Sequence, residues 1–249
     1  MRPIRFEAPI VRAVLQGRKT ESRDPIPRFP AGGQVKELFK GRWEHTPDGG
    51  TDQDAVTQDN PFHDNSGRLF VKEDWCIHEL REVDRSLRIK YIADQQCSPW
   101  LQDPYDVERI LFEKYWNETH HDLGYRWDEK QEKWLEADTR SPYDVPRIRV
   151  GGSMSQWASR ITLELISAWV ERLHDITDDG AIAEGIYERH AIGDDPASAP
   201  WTWQRHGWRY DNPREAYAAL WDATHGRTPG LTWKDNPWVW VIEHKRLHP

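Results

Sequence analysis

The sequence predicts an α+β protein, a small mixed β-barrel with flanking helices and two long insertions. Two observations predict this class. Segments with alternating apolar and polar residues occur among segments whose apolar residues have helical spacing, in the order helix, strands, helix, helix, strand. Polar segments rich in turn-forming residues separate them. We expect the 249 residues to form a single domain over positions 1–249.

The first part of the chain predicts one helix, two strands and two loops. Residues 3–19 form an amphipathic segment whose helix ends near a glycine, and the Pro-rich residues 25–33 predict a loop or extended chain. Residues 44–66 contain few apolar and many turn-forming residues, which indicates a mobile surface loop. The alternating residues of 67–75 and 87–93 predict two strands.

Two long segments have the composition of insertions. Residues 98–155 are charged and aromatic, show little periodicity beyond a short helix and a hairpin, and are expected to lie outside the core. His120 and His121, within this segment, are expected on the solvated surface. Residues 190–213 are polar and rich in Trp, and predict a second loop insertion.

The remaining segments predict two strands and two helices. Alternation predicts strands over 159–173 and over 236–247. Thr177 or Asp178 can cap a short helix, and residues 214–226 predict a longer one that ends at a glycine.

The composition bounds the class of protein. The hydrophobic share of 37% is below the globular average of roughly 45–50%, so the core must rely on the 15 Trp, 8 Tyr and 6 Phe. The net charge of −8 argues against a protein that coats nucleic acid non-specifically. This argument does not apply to a pocket that recognises one nucleoside or a short single strand.

Neither a membrane span nor secretion is expected. The chain has no run of 18 apolar residues, and its N-terminal segment lacks the apolar stretch of a signal peptide. Two cysteines, Cys76 and Cys97, cannot build a disulfide framework. We therefore expect a cytoplasmic protein, in the host cytoplasm if a phage encodes it.

Common catalytic and cofactor motifs are missing from the sequence. It contains no phosphate-binding P-loop, dinucleotide fingerprint, zinc-protease helix or serine-esterase elbow. Cys76 and His78 with the distant Cys97 match no standard zinc arrangement, and buried thiols are the favoured interpretation. We therefore expect no cofactor and no metal.

Three features suggest chemistry, and each has a structural alternative. The turn GRKTESR (17–23) is basic and carries hydroxyls, but it also fits a helix C-cap. Glu184 lies on or next to the apolar face of its helix, or is a solvated glutamate. Four tryptophans near strand ends either pack in the core or stack on a base: Trp75, Trp157, Trp238 and Trp240.

Four segments together resemble the ASCH domain, a PUA-like β-barrel family of bacteria and their phages. They are GRKTESR, GRLFVKEDW, the stretch from WASRITLELI to DDGAIAEGI, and NPWVWVIEHKRL. With its insertions, the chain resembles the long members that phages and prophages carry. The resemblance implies a PUA-like barrel.

The resemblance also implies an activity. Small bacterial ASCH proteins are similar to amidohydrolases that remove the acetyl group from N4-acetylcytidine, with a Lys and a Thr from a G-x-K-T-x-T turn and a Glu from a later helix. These positions fall on Lys19, Ser22 and Glu184. Serine keeps the hydroxyl of the family's threonine and loses its methyl group. Other ASCH proteins resemble binders or nucleases of single-stranded RNA.

The chemistry of these three residues suits amide hydrolysis, which needs a nucleophile, a base and an acid for the departing amine. Lys19, if held out of water, has a lowered pKa and can act as the base. Ser22 is then the nucleophile or orients a water molecule. Glu184 moves a proton to the cytosine N4 or binds the base edge.

Other residues are candidates for substrate binding. Arg18 and Arg23 provide positive potential for a ribose or phosphate, and Thr20 lies between them. Glu73 is a weaker candidate, since a surface carboxylate at a strand end is the alternative. Trp75 and Trp157 complete the predicted set.

Three functions follow as hypotheses, with a nucleoside or single-stranded RNA as the partner. The first is a metal-independent amidohydrolase of a modified pyrimidine nucleoside or base. The second is a binding module for single-stranded RNA or a modified base. The third is a ribonuclease, in which Lys19 stabilises the charge of the phosphorane.

Overall fold

The computed structural model shows an α+β protein and thus confirms the coarse fold class. It describes residues 1–30, 32–39, 41–62, 67–102, 109–123, 125–131, 133–136, 147–188, 201–203 and 209–247. The chain divides into two compact units, the first made of Met1–Arg2, Arg12–Leu69 and Ile161–Pro249, the second of Pro3–Val11 and Phe70–Arg160. The predicted insertion 98–155 falls entirely within the second unit.

The described residues form helices and strands distributed over both units. The α-helices are α1 (Ala8–Leu15), α2 (Arg109–Asp122), α3 (Asp178–Ala183) and α4 (Pro213–His225). The strands are β1 (Arg2–Arg5), β2 (Glu21–Pro25), β3 (Gln34–Phe39), β4 (Arg42–Thr46), β5 (Val56–Asp59), β6 (Arg68–Lys72), β7 (Trp75–Arg81), β8 (Ser86–Tyr91), β9 (Leu101–Gln102), β10 (Tyr125–Asp128), β11 (Lys133–Glu136), β12 (Thr162–Arg172), β13 (Tyr187–Glu188), β14 (Trp201–Thr202) and β15 (Trp238–Leu247).

Strand β15 is an inner strand of the main sheet. β15 pairs antiparallel with β12 on one side and with β2 on the other. Neighbours cover β15 on both faces, so its run from Val239 to Ile242 is fully buried. The strands predicted over 159–173 and 236–247 are confirmed. β2, with the polar sequence ESRDP, was not predicted, since it has no apolar alternation.

Helices α1, α3 and α4 lie close to their predicted places. α1 is shorter than the predicted segment 3–19 because Arg2–Arg5 is a strand. Thr177 caps α3 by accepting a hydrogen bond from the Gly180 N–H, as predicted. α4 begins after the cap residue Asn212 and confirms the predicted helix 214–226.

Residues 44–66, predicted as a mobile surface loop, contribute strands instead. β4 pairs antiparallel with both β3 and β5 in a three-stranded sheet. The polar composition was misleading because aromatic packing buries His45, which stacks on Phe29 and contacts Trp238 edge-on. Residues 63–66 of this segment lie outside the described residues.

Several loop and barrel predictions have a mixed outcome. Of the predicted insertion 190–213, residues 190–200 and 204–208 lie outside the described residues, and Trp201–Thr202 is a short strand paired with Tyr187–Glu188. The sheets of the described residues have open strand orders, so the predicted barrel stays a prediction.

The second unit has its own core, built on a sheet of β7, β8 and β9. Helix α2 contributes Phe112, Tyr115 and Trp116 to this core, so the expectation that 98–155 lies outside the core is wrong. The predicted hairpin within that segment is confirmed as β10 and β11. His120 is also buried, with 2% of its surface exposed, because its ring bonds the Trp116 carbonyl and Glu82.

Candidate functional site

The backbone of Thr20 joins three distant segments of the first unit. Its N–H donates to the carbonyl of Ala183 at the end of α3, at 2.8 Å. Its own carbonyl accepts from the N–H of His244 on β15, also at 2.8 Å. The residues beside these three positions, among them Lys19 and Glu184, therefore start from neighbouring backbone atoms.

Gly185 allows the chain after α3 to approach Lys19. Its φ of 105° is in the region that side-chain-bearing residues avoid. A Cβ at this position would lie 2.9 Å from the Cβ of Ala13 and 3.5 Å from that of Lys19. Gly17, at φ 72°, ends α1 just before Lys19. Glycines on both sides thus permit the close packing around the lysine.

Lys19 and Glu184 form a buried ion pair, with 3% and 5% of their side chains exposed. The Lys19 ammonium donates to the Glu184 carboxylate, to the Glu184 carbonyl at 3.1 Å and to the Glu21 carbonyl at 2.7 Å. Burial lowers the pKa of Lys19, and the charge of Glu184 opposes this shift. The predicted convergence of these two side chains is therefore present.

The other carboxylate oxygen of Glu184 accepts hydrogen bonds from two further residues. Arg23 donates at 3.3 Å and the Tyr217 hydroxyl at 3.2 Å. Burial alone would raise the pKa of Glu184, but the charges of Lys19 and Arg23 outweigh it and hold that pKa below its usual value. Burial raises the pKa of Tyr217 well above its usual range, so this phenol keeps its proton and donates a hydrogen bond to Glu184.

Arg23 is fully engaged by carboxylates of the protein itself. Besides Glu184 it contacts Glu171 at 2.9 Å and Glu21 at 3.1 Å. Arg18, the other predicted cation, donates to the Gly185 carbonyl at 2.9 Å, and its guanidinium lies 4.4 Å from the Tyr187 ring centre. Both arginines thus support the fold around the ion pair.

Ser22 is hydrogen-bonded to His244, at 3.0 Å between Oγ and Nε2. Side chains alternate along a strand, so Ser22 lies on the opposite face of β2 from Arg23. Burial, followed by the charge of Lys19, lowers the pKa of His244 to about 3, which leaves the ring neutral near pH 7. The charge of Lys19 therefore acts on the His244 ring of the Ser22–His244 pair.

Sequence reasoning missed His244 and Tyr217. Ser22 pairs with Ile242, and His244 lies two residues further along the same face of β15. That register depends on the unpredicted strand β2. Tyr217 does lie on the apolar face of a predicted helix, one residue from the predicted core position Ala216, and this was the only available signal.

Three predicted site residues belong to the second unit. Glu73, with 1% of its surface exposed, binds Arg160 through two hydrogen bonds of 2.9 Å, and burial raises its pKa. Trp75 is completely buried and packs edge-on against Tyr115 and Trp157. These contacts favour the structural alternative for both residues, an internal ion pair and core packing.

Two features that would point to other functions are absent from the described residues. Within the ranges given above, no three His, Cys, Asp or Glu side chains are grouped as metal ligands. No described helix has the length and apolarity needed to cross a membrane. No protein-family model, curated protein or solved structure matches the chain.

Proposed function

We propose that the protein is a metal-independent amidohydrolase of N4-acylated pyrimidine nucleosides or bases, related to ASCH domains and their PUA-like barrels. The observation that carries the proposal is the buried Lys19–Glu184 pair, in which an amine and a carboxylate share a hydrogen bond away from water. A hydroxyl, that of Ser22, follows three residues after the lysine and is itself buried.

The ion pair supplies both the base and the acid. Burial lowers the pKa of Lys19, so transfer of its proton to Glu184 costs less than transfer from an exposed lysine to the same carboxylate. The transfer leaves a neutral amine and a protonated carboxyl group. The amine is then a base, and the carboxyl group is an acid for the leaving amine.

The reaction then proceeds in two balanced steps. Ser22 Oγ attacks the acyl carbon and gives its proton to Lys19, while the bond from carbon to N4 breaks and N4 takes the proton of Glu184. Water then adds to the Ser22 ester, which releases the carboxylic acid and restores the hydroxyl. In a one-step variant Ser22 orients the attacking water, and no acyl-enzyme forms.

Charge at the site favours an uncharged substrate over an RNA strand. Within the ion-pair network, the carboxylates of Glu21, Glu171 and Glu184 outnumber the two cations that they contact, Lys19 and Arg23. A phosphate would meet this excess of negative charge, whereas a nucleoside or free base would not. The cytoplasm is the expected location, supported by the free cysteines Cys76 and Cys97.

The test is turnover of N4-acetylcytidine, followed by chromatography of the cytidine released, with and without EDTA. We expect product in both conditions, and none from Lys19→Ala. Lys36→Ala is the matched control, since this lysine belongs to the same unit and its side chain is 58% exposed. Binding of nucleoside or short RNA without product would overturn the amidohydrolase and favour the binding module. EDTA-resistant cleavage of the RNA would favour the ribonuclease.

A further inference from the structure

We propose that His244 is a positioning residue, whose Nε2–H donates a hydrogen bond to Ser22 Oγ and leaves the hydroxyl proton free for the general base. The inference rests on the proposed function. It assigns a fourth residue to the site and fixes the tautomer of its ring. No feature of the sequence pattern indicated it.

The geometry holds both partners firmly. Ser22 and His244 lie on adjacent strands, β2 and β15, and are 4% and 2% exposed. The backbone N–H of His244 is bonded to Thr20, two residues before Ser22 in the chain. The bond from ring to hydroxyl therefore has little freedom to reorganise, and its direction decides where the hydroxyl proton points.

The charges around the ring favour donation over acceptance. Burial first, and the charge of Lys19 second, disfavour a positive charge on the ring, and the charge of Glu184 only partly compensates. A ring with a pKa of about 3 is a poor acceptor for a hydroxyl proton. The same neutral ring is a good N–H donor, and this bond stabilises negative charge on Oγ as it attacks.

Two substitutions separate positioning from proton transfer. The amide of His244→Gln donates a hydrogen bond but takes no proton, and His244→Leu does neither. With N4-acetylcytidine we expect His244→Leu to lower kcat by roughly a hundredfold with little change in KM. We expect His244→Gln to keep most of kcat and an unchanged pH profile. His45→Gln is the matched control, since His45 is buried in the same unit and its ring bonds the Gly32 carbonyl.

The outcomes distinguish this inference from the proposed function. A wild-type protein without turnover overturns the proposed function. If the wild type is active and His244→Gln loses as much kcat as His244→Leu, His244 is a proton acceptor and the inference is wrong. An unchanged kcat in His244→Leu also overturns it. Imidazole ¹⁵N shifts of the folded wild type test the tautomer directly, since a proton on Nδ1 in place of Nε2 would refute the donor role even if a variant fails to fold.

Discussion

Replacement of Lys19 by methionine tests the buried ion pair most directly. Methionine has a similar length and keeps the apolar packing, so the Lys19→Met variant removes the charge and the three hydrogen bonds of Nζ. It leaves Glu184 buried with an unbalanced charge. The expected result is a large loss of stability in addition to the loss of activity.

The size of the stability loss in Lys19→Met depends on the hydrogen bonds that the Glu184 carboxylate keeps. Breaking a buried ion pair costs about 3–5 kcal/mol. Because Arg23 and Tyr217 still donate to Glu184, we expect the lower end, about 3 kcal/mol. This differs from the small effect that an exposed helix-cap lysine would have, about 0.3–1 kcal/mol. The double variant with Glu184→Gln removes the orphaned charge and should recover about 0.5–3 kcal/mol of the sum of the single losses.

The assay is urea unfolding of the four proteins of this cycle at pH 7, with Lys36→Met as the exposed control. The control should stay within about 0.5 kcal/mol of the wild type. A Lys19→Met protein that is equally unchanged would refute the reasoning, because a buried paired ammonium cannot be removed without cost. Additive losses in the double variant would show that the two side chains do not interact.

Three further predictions concern the same fold. Gly185→Ala should lower the free energy of unfolding by more than the control Gly49→Ala, since φ is positive at both glycines but a Cβ at Gly49 would meet open space. Backbone strain alone costs about 1–2 kcal/mol in each variant. Equal losses of stability in the two variants would argue against the crowding at Gly185. The pKa of His244 is lower in the folded protein, about 3, than in the unfolded chain, about 6.5. Its neutral form therefore stabilises the protein above about pH 6.5, and this contribution is lost as the pH falls toward about 3. His244→Gln should flatten this pH dependence of the free energy of unfolding, measured in urea titrations. Glu73→Gln should lower the melting temperature because Arg160 loses its bidentate partner, and it should leave kcat nearly unchanged. A loss of kcat without a loss of stability would instead support the predicted role of Glu73 in substrate binding.

Local patterns in the sequence predicted the elements that have strong periodicity. β12, β15 and α4 were found because their apolar residues repeat with period 2 or 3.6, and a glycine marks the end of α4. The strands within 44–66 were missed because their pairing, and the burial of His45, come from residues distant in the chain. A short helix was predicted where α2 lies, but its place in the core was missed because its charged residues masked three aromatic core residues.

The candidate site shows the same division. Lys19 and Glu184 were identified through a resemblance of short motifs, and the structure brings them together. The contact from Ser22 to His244 and the contact from Glu184 to Tyr217 depend on strand register and helix packing. The pattern of residues along the chain does not contain this information, so the contacts of His244 and Tyr217 could not be predicted from it.

The role of Thr20 has a consequence for how the protein can diverge. This residue ties α3 to β15 through its peptide atoms alone, and its side chain is exposed. Nearly any amino acid can make the same two bonds, whereas proline has no N–H to give to Ala183. A survey of viable substitutions would therefore find this position highly tolerant, and would conceal that the junction of three segments depends on it.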